Sequence, residues 1–293
     1  MISEYKKDRQ MLKWKIGNVS ITRVVELEAP TSVRFMFAGV SKEELLSIEW
    51  LKPHFVTDSG HMLFSIHALL VESQGRKIIV DTCLGNDKER KVAGWGMRNG
   101  PFLEDIASAG FARESIDAVM CTHLHVDHVG WNTMREGDRW VPTFPNAEYL
   151  FAKDEWAYWS EHEQDEFGPV VEDSVRPIVD AGLARLVDSD HQLTSEVWLE
   201  PTPGHTPGHV SVRISSEGED AVITGDMTHH PCQMAHPDWA ASVDVDSVQS
   251  TQTRHEFYAR YADQPVLLIG THFATPTAGR LITDGDAYRF AVD

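Results

Sequence analysis

The segment His123-Leu124-His125-Val126-Asp127-His128 constrains this chain more than any other feature. Three imidazoles and a carboxylate fall within six residues, directly after the apolar run IDAVMC (116–121). Imidazole and carboxylate are the usual ligands of a zinc ion in a catalytic site, where thiolates are less needed. In a turn, residues 123 and 125 can reach one ion while 127 and 128 fold over to a second. A polar loop whose histidines merely face solvent is the alternative, and a lone His-x-His would favour it. The fuller His-x-His-x-Asp-His pattern at a strand end is far more specific. The three cysteines, Cys83, Cys121 and Cys232, include no Cys-x-x-Cys pair, so they fit neither a disulfide framework nor a cysteine-based zinc finger.

Further donors follow along the chain. His205 sits in TPGHTPGH (202–209), where Gly and Pro fix a tight loop. Asp226 ends the apolar run DAVITGD (220–226), and His272 ends LLIGTH (267–272). Each alone is an ordinary strand-end residue, and their order after the histidine cluster is what makes them a set. A two-fold echo runs through the same segments. IIVDT (78–82) and VITGD (222–226) are apolar strands ending near Asp, while VMCTH (119–123) and LIGTH (268–272) end in Thr-His. If the echo is structural, two half-sheets bring four strand ends together.

The remaining pattern alternates strands with helices. WKIGNVSITRVVELE (14–28) reads as a half-buried strand. SKEELLSIEWL (41–51) reads as a short helix, with Ser41 and Glu44 spaced for a capping box. HMLFSIHALLVES and RKIIVDTCLG are strands joined at Gln74-Gly75, 86–100 is a loop, and FLEDIASAGF is a helix ending at Gly110. DEWAYWSEHEQDE (154–166) is predicted to be an acidic helix, and 247–262 a second one with Phe257 and Tyr261 on one face. PVLLIGTHF is the last clear strand.

The motifs HLHVDH (123–128), PGHTPGH (203–209), TGD (224–226) and GTH (270–272) together resemble the metallo-β-lactamase fold superfamily over roughly residues 60–275. The resemblance implies an α/β fold, an αββα sandwich of two mixed sheets flanked by helices. It implies a binuclear site with His123, His125 and His205 on one divalent ion, in all expectation Zn²⁺. Asp127, His128 and His272 would hold the second ion, and Asp226 and a water or hydroxide would bridge the two. Asp81 matches the family's aspartate after the second strand, which orients a ligand histidine, although Asp-Thr-Cys stands here in place of Asp-Thr-Gly. His209 is expected to support the loop rather than bind metal. The bridging hydroxide would attack a polarised carbonyl or phosphoryl oxygen, with Asp127 steering its proton.

Charge and length narrow the reaction. The net charge of −19 disfavours nucleic acid and anionic membrane as partners and suits a small neutral substrate. The opening MISEYKKDRQMLKW lacks the apolar run of a signal peptide, so a cytoplasmic enzyme is expected. That feature and Asp226 count against an exported β-lactamase. The 21 residues after His272 are too few for the glutathione-binding region of a glyoxalase II. HLHVDH also keeps the zinc-hydrolase form, where the diiron members usually replace a loop histidine with an acid. What remains resembles the N-acyl homoserine lactonases and the methyl parathion hydrolase-like enzymes.

The expected function is a lactonase or esterase, with a phosphotriesterase as the alternative and a non-catalytic metal-binding protein behind both. Residues 1–60 would form an N-terminal extension serving pocket or dimer, and 61–293 the hydrolase domain. Many of these relatives are homodimers that build an apolar pocket over the metals. The candidates for it here are Phe35, Met36, Phe37, Trp50, Phe55, Trp95 and Phe273. The lactonases often use a tyrosine beside the metals, and none of Tyr149, Tyr158, Tyr258 and Tyr261 aligns to it by motif.

Overall fold

Gly17 sets the first departure from the sequence pattern. It has φ +54°, and a Cβ there would lie 2.3 Å from the Ser216 carbonyl oxygen. The run expected as one strand therefore folds back on itself into β1 (Lys13–Ile16) and β2 (Val19–Ser32). The structure, a computed structural model, describes residues 11–164 and 166–292. The first ten residues of the expected N-terminal extension lie outside that range.

β2 runs antiparallel to β3 (His61–Ser73) from Ser20 opposite Glu72 to Ser32 opposite His61. The register slips at Glu26, a bulge residue whose buried carboxylate accepts the Leu84 and Gly85 N–H groups and the Trp131 indole. The sheet continues through β4 (Arg76–Val80) and β5 (Ala118–Met120). A hairpin of β6 (Thr133–Glu136) and β7 (Arg139–Pro142) stands apart, and β8 (Glu148–Ala152) and β9 (Ala184–Val187) complete seven strands in the order β1-β2-β3-β4-β5-β8-β9.

The second sheet has six strands in chain order. They are β10 (Val197–Pro201), β11 (Val210–Ser216), β12 (Glu219–Ile223), β13 (Val266–Ile269), β14 (Ala278–Asp284) and β15 (Ala287–Ala291). The last two form a hairpin around Gly285, φ +63°, beyond the segment expected to be the final strand. Their alternating apolar residues and the Gly285-Asp286 loop between them are a hairpin signal.

Two-residue alternation divides the core into layers. Leu69, Ile78, Val80 and Met120 of the first sheet meet Val210, Val212, Ile223 and Ile269 of the second. Ala68, Leu70, Ile79 and Val119 face outward onto α3 (Phe102–Ser108), α4 (Lys153–Trp159) and α5 (Arg176–Asp180) through Phe102, Ile106, Trp159 and Ile178. Val222, Leu268 and Leu281 face α1 (Val33–Met36), α2 (Lys42–Ser47), α6 (Cys232–Ala235) and α7 (Ser247–Tyr261). The result is the αββα sandwich. The Ser41–Glu44 capping box opens α2 as its spacing requires. The acidic helix is shorter than expected and closes at Trp159.

β4 and β5 are parallel neighbours in one sheet, and β12 and β13 are parallel neighbours in the other. Both pairs end at the same edge of the sandwich, where the loops carrying Asp81, His123 to His128, Asp226 and His272 converge.

Candidate metal centre

The loop after β5 and the loop between β10 and β11 meet first. His205 Nε2 lies 3.2 Å from His123 Nε2 and 2.9 Å from His125 Nδ1. A second group forms beside it: His128 Nε2 is 3.3 Å from His272 Nε2, and the Asp127 carboxylate oxygens are 3.6 Å from each of those nitrogens. Asp226 stands between the groups. Its Oδ2 is 3.8 Å from His123 Nε2, 3.6 Å from His205 Nε2 and 3.3 Å from His128 Nε2, and its Oδ1 is 3.1 Å from His272 Nε2. The seven residues expected from the sequence are thus brought to one place.

The donor chemistry of this cluster fits divalent cations. Potential ligand atoms of His123, His125 and His205 lie within 4.8 Å of one another, as do those of Asp127, His128 and His272. Burial, reinforced by neighbouring imidazoles, holds His123 and His125 well below the usual histidine pKa, so both rings are neutral. Neutral rings aimed at one point crowd lone pairs together, and a cation resolves that crowding.

Partners on the far side of the rings fix which nitrogen faces in. His128 Nδ1 pairs with Asp81 Oδ2 at 2.9 Å, and Asp81 also accepts the Thr122 N–H and hydroxyl. His272 Nδ1 donates to the Ser65 carbonyl at 2.9 Å. His205 Nδ1 pairs with Asp244 Oδ1 at 2.8 Å. Asp244 was not foreseen, and no local motif marks it. His209 lies behind the cluster: its Nε2 accepts the Asp226 N–H at 2.8 Å and its Nδ1 donates to the Thr202 carbonyl. Burial pushes its pKa down to about 3, which keeps that acceptor available.

The cluster forms the floor of a cavity with about 500 Å³ of empty space, part of it open to solvent. Phe35, Met36 and Trp95 line it as expected, together with Phe64, Phe167, Val126 and Val243. Phe64 stacks on His272 at 4.8 Å, and Trp95 lies nearly parallel to Phe167. Phe37, Trp50, Phe55 and Phe273 do not line it. Phe37, Phe55 and Phe273 are fully buried in the core beneath the second sheet, and Trp50 packs against that core. Phe273 is turned away because its ring folds over Gly270, where a Cβ would lie 2.1 Å from it. Phe55 meets Phe273 and Phe290 instead.

Apart from the cluster, the polar side chains lining the cavity are Thr31 and His229, and among the described residues no Lys, Arg or Tyr lines it. His229 was also missed. It is buried, its Nε2 lies 3.3 Å from Asp226 Oδ2, and its Nδ1 has no partner. Its position three residues after Asp226, in GDMTHH, was the available signal. Among the described residues, no helix is long and apolar enough to cross a membrane.

The chain is similar to known proteins in sequence and in fold. A family model described as the metallo-beta-lactamase superfamily matches residues 62–272. An N-acyl homoserine lactonase of Bacillus sp. is 25% identical over 169 residues, 53% of this chain and 60% of the relative. A second, from Bacillus cereus, is 24% identical over 180 residues, 56% of this chain and 64% of that protein. The chain thus spans about 60% of the length of the curated relatives it matches. Among solved structures, AidC, a dizinc quorum-quenching lactonase in complex with a product, matches with TM-score 0.78 and 23% identity, covering 97% of both chains. The hydrolase AbOPH matches with TM-score 0.81 and 23% identity, covering 98% of this chain and 99% of that one.

Proposed function

The chain belongs to the metallo-beta-lactamase superfamily, and from that premise we propose that it is a binuclear-metal hydrolase that opens a lactone or cleaves a neutral carboxylic ester. The observation that carries the reading is Asp226, set between two three-donor groups on the floor of an apolar cavity. His123, His125 and His205 would hold one ion, Asp127, His128 and His272 the other, and Asp226 both. When bound, two such ions, Zn²⁺ by ligand type, supply Lewis-acid polarisation of the substrate oxygen and lower the pKa of water to about 7.

The chain's own residues do the rest. The walls are largely apolar and, among the described residues, carry no Lys or Arg to bind an anionic substrate, which favours neutral esters over phosphodiesters and glutathione thioesters. Asp127 is the most exposed of the seven donors, and its carboxylate is placed to take and return the proton of the attacking water. His229 is assigned to hydrogen-bond the substrate oxygen, because its ring faces the cavity with a nitrogen uncommitted. The lactonase relatives favour the lactone within this class. A phosphotriester is the second reading, since a neutral triester fits the same uncharged walls. Homodimer formation is part of the proposal, on the resemblance given above.

The test is a side-by-side kcat/KM for a long-chain acyl homoserine lactone and an aryl phosphotriester on metal-loaded protein. Proton release reports lactone opening and the coloured phenol reports triester cleavage. A lactone value higher by orders of magnitude supports the reading, and the reverse moves the protein to the phosphotriesterases. Two bound metals without turnover on either substrate, or on a wider ester panel, would leave only a metal-binding protein. A chelator should abolish activity and Zn²⁺ should restore it.

A further inference from the structure

Glu155 belongs to the acidic helix expected from the sequence, yet it is 1% exposed. Its carboxylate is satisfied by N–H groups. Oε1 accepts the Leu124 N–H at 2.9 Å and the Trp159 indole at 2.7 Å, and Oε2 accepts the Gly208 N–H at 3.0 Å. Leu124 separates His123 from His125, and Gly208 lies three residues beyond His205. One carboxylate therefore grips both loops that carry the three-histidine group.

The surroundings fit that task. Gln164 Nε2 donates to the Leu124 carbonyl at 2.6 Å, so both backbone groups of that residue are held from the α4 side. The Trp159 ring stands edge-on to His125 at 5.2 Å. A Cβ on Gly208 would lie 2.2 Å from the Glu155 nitrogen, so only glycine lets the His205 loop come this close to α4. The two loops are also joined directly by Val210 N–H to Thr122 O at 3.0 Å, and Glu155 adds a tie from α4 at Leu124 and Gly208.

We infer that Glu155 is a positioning residue that sets the spacing of His123 and His125 against His205 by anchoring both loops to α4. The inference rests on the metal-site reading above and is separable from it. Glu155→Gln keeps shape and one acceptor oxygen but turns an NH₂ group toward one of the loop N–H donors. The measurement is Zn²⁺ affinity by chelator competition in two backgrounds. His272→Ala leaves the three-histidine group complete, and His205→Ala leaves the other group complete.

In the His272→Ala background Glu155→Gln should weaken Zn²⁺ binding by about 10–100-fold, the usual effect of losing a group that orients ligands from behind. In the His205→Ala background the change should stay within about twofold. Equal weakening in both backgrounds would mean a merely structural role and overturns the inference, as would no weakening in either. If Glu155→Gln does not fold, Gln164→Ala, which releases the Leu124 carbonyl alone, should weaken the three-histidine site selectively; unchanged affinity there also overturns it. Wild-type protein that takes up no metal would instead overturn the metal-site reading itself.

Discussion

The two half-sheets share a topology and put different chemistry at the same backbone position. In the first, Asp81 follows β4 directly, and its N–H bonds to the Met120 carbonyl at the end of β5. In the second, the residue in that place is Thr224, whose N–H bonds to the Ile269 carbonyl at the end of β13. Each side chain reaches toward the Thr-His step of the neighbouring strand. Asp81 accepts the Thr122 N–H at 2.8 Å, and Thr224 Oγ1 accepts the Thr271 N–H at 3.4 Å. The sequence echo equates Asp81 with Asp226, but the structural counterpart of Asp81 is Thr224. Asp226 lies two residues farther on, past Gly225 with φ +55°. That offset lets one aspartate stay behind the site and orient His128 while the other enters it. The Thr-His steps diverge as well, His123 joining the three-histidine group and His272 the group with Asp127 and His128.

The strongest way to break this comparison is Asp226→Ala. If Asp226 joins the two ion sites, the variant should hold no more than one metal per chain and lose on the order of 10³-fold in kcat/KM. Metal analysis and kinetics check both, and two metals with an unchanged rate would remove the bridging assignment. The same loop carries His229, three residues on, where the first half has Asn86 in the equivalent place, its side chain committed to the Gly100 backbone. His229→Leu should keep both metals and lower kcat by about 10²–10³-fold, the usual cost of removing one donor aimed at a developing negative charge. A fall in metal content would instead make His229 part of the metal site.

Asp81→Asn sharpens the contrast from the other side. Asparagine can still accept the Thr122 N–H but turns an amide N–H toward His128 Nδ1. Zn²⁺ affinity should fall by about 10–100-fold, read by chelator competition.

What the sequence made legible follows from where the information is local. The span of β3, the capping box of α2 and the seven clustered donors each rest on residues adjacent in sequence or on a strand end marked by an apolar run. Asp244 and Glu155 were not legible, because each acts through partners tens of residues away: Asp244 on His205, Glu155 on Leu124 and Gly208. The pocket aromatics divided for a similar reason. Phe35 and Phe37 are two residues apart, yet Phe35 is 46% exposed at the cavity and Phe37 is fully buried beside Trp239. Only the packing of α1 against the second sheet decides between them.

The smallest effect is expected at Thr224, and it bears most directly on the equivalence of the two positions. Thr224→Val keeps the shape and removes a hydroxyl that donates to the Gly225 carbonyl at 2.8 Å and weakly accepts the Thr271 N–H. Because the site is buried, the cost falls on stability, about 1–2 kcal/mol for losing one hydrogen bond and leaving a donor poorly satisfied. Chemical denaturation measures that directly. Zn²⁺ affinity and kcat/KM should stay within about threefold of wild type, because His272 takes its orientation from the Ser65 carbonyl and not from the strand-end residue. Should Thr224→Val instead weaken Zn²⁺ as much as Asp81→Asn does, the two strand ends position their histidines alike, and the division of labour between the halves does not hold.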